Sequence, residues 1–203
     1  MLENKESSEN NKTVRVLAVD PAFVNTGYII VDIIGQPTQF TVKLIANGVV
    51  STEKSDKKRG IRASDDTVRR CLEWLSAFDA LWQEFKPQMS AYELPSAGGK
   101  SSSAVKSMAI ATALCSSLSY HSNSPSEFFT PNEVKSALAK NITASKTDME
   151  KEAIKMFPCL QEKYSSARAA TGFTGEFEHV ADAVGVLKAC LQQGSLIKVF
   201  LTK

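Results

Sequence analysis

The chain has 203 residues, 43% hydrophobic and 23% charged, with a formal net charge of +2. That size and balance predict one globular domain with a substantial core, and exclude a disordered, collagen-like or coiled-coil chain. No apolar run approaches the roughly 18 residues that cross a bilayer, and the near-neutral charge excludes a polybasic membrane anchor.

Residues 1–12 (MLENKESSENNK) lack apolar periodicity and are expected to be a disordered tail, with 13–203 forming a single domain. The tail has no apolar segment, so no secretory leader is expected and the chain is placed in the cytoplasm. Residues 14–20 (VRVLAVD) predict a buried strand that ends on an acid. Turn chemistry over 21–27 (PAFVNTG) leads to a second strand over 28–34 (YIIVDII), and a turn at Gly35-Gln36-Pro37 to a third over 40–50. These connections are too short for a crossover helix, so the three strands are antiparallel. Residues 51–61 predict an exposed loop. From 62 to 85, Val68, Cys71, Leu72, Leu75, Phe78, Leu81, Trp82 and Phe85 recur at helical steps, and Lys86-Pro87 ends the helix.

A fourth strand is predicted over 89–94 (MSAYEL), a Gly/Ser loop over 95–103 (PSAGGKSSS) and a small-residue helix over 104–119. A fifth strand over 127–130 (EFFT) runs into a helix opened by Pro131 and capped by Thr130. A further helix covers 146–156, an irregular stretch 157–177, and a last helix 178–193. This order predicts an α/β domain with a mixed five-stranded sheet. The four cysteines are 44, 44 and 31 residues apart with no CxxC, so free thiols are expected rather than a zinc site.

Asp20 ends the first strand, Glu93 lies in the fourth, and His179 and Asp182 open the last helix. Singly, each has an ordinary explanation: a turn acid, an edge charge, a capping imidazole, a partner for the helix dipole. Together they read differently. Asp20 and Glu93 interrupt runs that otherwise look buried (VLAVD, AYELP), where a carboxylate costs several kcal/mol unless a cation compensates it. His179 and Asp182 are spaced i, i+3 and share a helix face. Converging carboxylates are hard oxygen ligands suited to Mg²⁺ or Mn²⁺. Two such ions about 4 Å apart would clamp the attacking and leaving oxygens of a phosphodiester displacement. Glu178 is a rival to His179, and Glu176 a weaker one.

Charge is uneven along the chain. Lys100, Lys106, Lys135, Lys140 and Lys146 face only two acids in their stretch, and 53–70 carries seven Lys or Arg against four acids. Either cluster suits DNA phosphates, with a solvated surface as the ordinary alternative for 53–70. Ala104, Ala109, Ala113, Ser116 and Ser117 permit close helix approach, between two copies or inside one.

The blocks VLAVDPAFVNTGYIIVD (16–32), AYELP (91–95), SSSAVKSMAIATALC (101–115), TPNEVKSALAKNITASK (130–146) and EHVADAVGVLKAC (178–190) resemble the RuvC family of Holliday-junction resolvases, within the ribonuclease-H-like superfamily. The resemblance implies a ribonuclease-H-like α/β fold with helices on both faces of the sheet. It implies a homodimeric endonuclease that nicks four-way DNA junctions symmetrically. Its cofactor would be Mg²⁺, with Mn²⁺ as a substitute and two ions per active site; neither a nucleotide cofactor nor a membrane is implied. Asp20, Glu93 and Asp182 match metal ligands, and His179 falls where many members carry Asp. Lys135 and Lys146 match lysines near the scissile backbone, with Lys146 counted as catalytic; Lys100, Lys106 and Lys140 join Lys135 as substrate contacts.

Three departures stand out. Ala22 replaces a family glycine, so its φ must stay negative. Ser96 sits where relatives place a wedge aromatic. The stretch 157–177 is long for the family. Two alternatives follow: a broader debranching nuclease of the same fold, and a non-catalytic junction-binding module. A sugar-kinase-like phosphotransferase would need a second matching half, and 203 residues are too few.

Overall fold

The protein is described from a computed structural model covering residues 12–56, 60–94, 101–171 and 175–202, with the backbone alone at 166–171. Strand β1 (Lys12–Asp20) pairs antiparallel with β2 (Asn25–Gln36), which pairs antiparallel with β3 (Gln39–Ser51). On the other side of β1, β4 (Met89–Glu93) and then β5 (Ser126–Phe129) run parallel to it. The order across the sheet is β3-β2-β1-β4-β5, the expected mixed five-stranded sheet. Its central strand is buried on both faces, which explains the unbroken apolar run at its end.

One face of β1 presents Val14, Val16 and Ala18, the other Leu17 and Val19. Helices α1 (Ala63–Phe85) and α2 (Ser102–His121) cover the second face with Trp74, Phe78, Leu114, Cys115 and Leu118. The first face is covered by α3 (Pro131–Ala139), α4 (Lys146–Met156), α5 (Cys159–Thr171), α6 (Gly175–Gln193) and α7 (Leu196–Thr202). Helix α6 lies on the sheet through Val180, Val184 and Leu187, and α3 and α4 close over its back. A Cβ at Gly185 would stand 2.7 Å from Val134 Cγ1 and 2.9 Å from Met149 Cε. An α6 packed on every side reads as apolar all round. Capping boxes set the starts of α3 (Thr130 with Glu133) and α4 (Ser145 with Asp148).

Several expectations need correction. The stretch read as irregular contains α5, which starts just after Pro158 and buries Leu160 and packs Tyr164 against the core. Lys163 Nζ donates to the Asn47 carbonyl (3.0 Å), and the Tyr164 hydroxyl to Asn47 Oδ1 (3.0 Å), so α5 docks on edge strand β3. The last helix starts at Gly175, before the expected 178, and a further helix, α7, follows it. Glu127 of β5 caps α7 by accepting from Ser195 N (2.7 Å) and Leu196 N (3.0 Å). β2 extends back to Asn25 through residues read as a turn. Of the expected tail, 1–11 lie outside the described residues, and Lys12 pairs with Gly35 in β1.

Ala22 is not among the residues with positive φ, as its side chain requires. All four cysteines are free, Cys115 and Cys190 buried. Much of the 53–70 charge is engaged within the fold. Arg62 pairs with Asp65, Arg69 with Asp66 and Glu73, and Arg70 is buried; Lys57, Lys58 and Arg59 lie outside the described residues. Among the described residues no single helix is long and apolar enough to cross a membrane.

Candidate active site at the carboxyl ends of the inner strands

In the parallel ladder Val19 stands beside Tyr92, which makes Asp20 and Glu93 neighbours at the carboxyl ends of β1 and β4. Val16, Ala18, Met89 and Ala91 pack on the α6 side. The two-residue period of a strand therefore turns Asp20 and Glu93 to that side as well. Asp20 also stands opposite Gly27 of β2. A Cβ at Gly27 would overlap the His179 carbonyl, so only glycine lets α6 approach this closely. The approach brings His179 Nδ1 to 3.8 Å from Asp20 Oδ2, an electrostatic contact. Asp182 follows one turn along α6 and is half-buried.

The acids feel one another. Burial pushes the Glu93 carboxyl up to about 8, helped by the charges of Asp20 and Asp182 and opposed by Lys135. Burial likewise pushes Asp182 up to about 7, helped by Asp20 and Glu178 and opposed by His179 and Lys135. The Asp20 carboxylate raises the His179 imidazole above its ordinary value, against the opposing effect of burial. Asp20, Glu93, His179 and Asp182 thus form one electrostatic unit, as the sequence suggests. Among the described residues no three His, Cys, Asp or Glu side chains close into a ready-made ion cage. By donor chemistry the set fits a hard divalent cation: three carboxylates and one imidazole, short of positive charge.

Lys135 on α3 is near enough to oppose the upward shifts of both Glu93 and Asp182. Lys146, the first residue of α4, is exposed and paired with Glu178, which raises its pKa. Glu178 thus sits at the rim with Lys146, while His179 turns to Asp20. Glu176 is exposed and acts on Lys163 and Tyr164 instead. Lys106 is exposed on α2, and Lys140 is exposed as the left-handed cap of α3. Lys100 and Ser96 lie outside the described residues. The sequence marks Gly27 only as the end of a turn; its role at the site follows from its place in β2, opposite Asp20 and under His179.

Residues 16–173 match the family model described as crossover junction endodeoxyribonuclease RuvC. The chain belongs to the RuvC family. Members are metal-dependent endonucleases that resolve DNA crossover junctions, and the chain is an endonuclease of this kind. The match includes Asp20, Glu93, Lys135 and Lys146 but stops short of His179 and Asp182, which join the site through geometry. The fold is similar to that of Thermus thermophilus RuvC bound to a Holliday junction substrate. There the identity is 16%, the TM-score 0.65, and the coverage 91% of this chain and 97% of that one. It is also similar to the yeast mitochondrial Holliday junction resolvase Ydc2, at 15% identity and a TM-score of 0.59, covering 96% of this chain and 86% of that one. No curated protein matches the chain by sequence. The expected ribonuclease-H-like fold is the fold observed.

Proposed function

We propose that the chain resolves four-way DNA junctions as a homodimer, making paired symmetric nicks with Mg²⁺, or Mn²⁺ in its place, two ions per active site. The observation that carries this reading is the strand register. It puts Asp20 beside Glu93 and turns both toward His179 and Asp182. Asp20, Glu93 and Asp182 would hold the ions, with His179 as the fourth ligand or the group that orients the attacking water. Bound there, the ions would supply a nucleophilic water and charge for the leaving oxygen.

The chain's own residues do the rest. Lys135 faces the acids and stabilises negative charge that builds on the phosphate. Lys146 exchanges Glu178 for a backbone phosphate as DNA arrives, since both are charge-assisted partners for the same ammonium group. Lys106 and Lys140, both exposed, contact substrate as well, and Lys100 joins them on the strength of the sequence. A two-fold junction needs two sites in fixed relation. The exposed stripe of Ala109, Ala113 and Ser116 on α2 supports association of two copies.

The test is nicking of a synthetic four-way junction by wild type and Asp182→Asn in Mg²⁺, Mn²⁺ or EDTA. Expected are paired, metal-dependent nicks that disappear in the variant and leave linear duplex intact. Binding without cutting in every metal would leave a junction-binding module. Equal cutting of four-way, three-way and flap substrates would make it a general debranching nuclease.

A further inference from the structure

The turn that carries the chain from Asp20 back to β2 is held from behind, on the face of the sheet opposite α6. Phe23 O accepts from Thr52 Oγ1 (2.6 Å) and from Arg70 Nη2 (2.8 Å). Val24 O accepts from Thr52 N (2.8 Å). Ala22 O accepts from Thr26 Oγ1, which in turn accepts from Trp74 Nε1 (2.8 Å). Arg70 also donates through Nε to Thr52 Oγ1 (3.1 Å), and its guanidinium lies 4.1 Å from the centre of the Phe23 ring.

Arg70 is only 4% exposed, and Thr26, Thr52 and Trp74 are no more than 2% exposed. A buried guanidinium satisfied by carbonyls, a hydroxyl and a ring is an expensive way to fill space that Met or Leu would fill on a helix. What Arg adds is a rigid fork of donors that ties two separate segments to one point on α1. The second segment is itself anchored along α1. Ser55 donates to Asp66 (Oγ to Oδ1 2.6 Å), and Arg69 donates to the Glu53 carbonyl (2.6 Å).

We propose that Arg70, through Thr52 and Phe23, is a positioning residue that sets the pose of Asp20 for metal binding. The proposal rests on the reading of Asp20 as a metal ligand. Asp20 is the last residue of β1, so its carboxylate is aimed by the strand on one side and by this turn on the other. Loosening the turn leaves the donor in place but spreads its directions, which lowers affinity for an ion that needs several oxygens at once.

The experiment measures Mn²⁺ binding by the full-length protein without DNA, from the electron paramagnetic resonance signal of free Mn²⁺. Melting temperature and the Mn²⁺ concentration for half-maximal junction nicking are measured beside it. Arg70→Met is expected to bind Mn²⁺ about tenfold more weakly and to need correspondingly more for nicking. Leu118→Ala cuts into the same core layer without touching the turn; it is expected to lower the melting temperature and leave Mn²⁺ affinity unchanged. If Arg70→Met does not fold, Thr52 carries the test. Thr52→Val removes the shared hydroxyl and is expected to lose Mn²⁺ affinity, whereas Thr52→Ser keeps both. A folded Arg70→Met or Thr52→Val with wild-type Mn²⁺ affinity overturns the proposal, as does an equal loss in Leu118→Ala. The binding measurement needs no junction. Junctions left uncut by a protein whose variants still lose Mn²⁺ would overturn the function reading alone.

Discussion

Asp182 and Glu93 occupy positions where an anion is costly, and that cost is visible in their raised pKa values. Asp182→Asn should slow junction nicking at least about 100-fold, a loss of roughly 2.7 kcal/mol of transition-state stabilisation. It should also raise the melting temperature of the metal-free protein, because a neutral side chain removes repulsion against Asp20 and Glu178. An activity assay and a calorimetric scan of the same preparation check both signs. Gly27→Ala tests the close approach. Its Cβ would force α6 away from β2, costing about 1 to 3 kcal/mol by overpacking, and nicking should fall with it as His179 leaves Asp20. Denaturant titration and the nicking assay read the two effects; wild-type values in both would show that α6 can shift harmlessly. Asp20 and Glu93 were legible in the sequence because each interrupts an apolar run, and Asp182 because it shares a helix face with His179. The Lys146–Glu178 pair and the Arg70 fork were not, since each joins segments that meet only after folding.

At the scale of elements, Arg15 joins three of them. It binds Asp32 through two hydrogen bonds (2.7 and 2.8 Å) and donates to the Phe85 carbonyl (2.9 Å) at the end of α1. The two residues stand opposite each other in β1 and β2. Arg15→Met should cost about 3 kcal/mol, because it leaves Asp32 buried and unpaired. Adding Asp32→Val should recover most of that loss, and a double-mutant cycle in urea measures the coupling. Additive losses would show that the pair is not the source. The strands and long helices were legible because buried alternation and three- and four-residue steps are strong local signals. The two missed helices are weaker in that respect. Among its described side chains α5 shows the core Leu160 and Tyr164 amid serines and charges, and seven-residue α7 takes its cap from Glu127 on a distant strand.

For the molecule as a whole, the site ties stability to pH. Glu93, Asp182 and His179 all have pKa values raised by folding, so the folded chain holds protons that the unfolded chain releases. The stability they contribute is complete below the unfolded carboxyl values near 4 and is lost as pH rises through about 7 to 8. In EDTA the unfolding free energy should therefore fall between pH 6 and 8.5, by roughly 2 to 4 kcal/mol. Urea titrations across that range check it. Saturating Mn²⁺ should flatten the curve, and Glu93→Gln should flatten it without metal. A protein equally stable across the range in EDTA would show that the three groups do not titrate as a unit.

The docking of α5 has a consequence for how the protein behaves in a crowded solution. β3 is an outer strand thirteen residues long, and an open strand edge invites a second sheet to add to it. Lys163 takes up the Asn47 carbonyl, Tyr164 binds the Asn47 side chain, and Lys43 places a charge farther along the strand. The opposite outer strand, β5, offers only four residues. By occupying the Asn47 position of that edge, α5 leaves a shorter open stretch on which a second sheet could grow into a fibre.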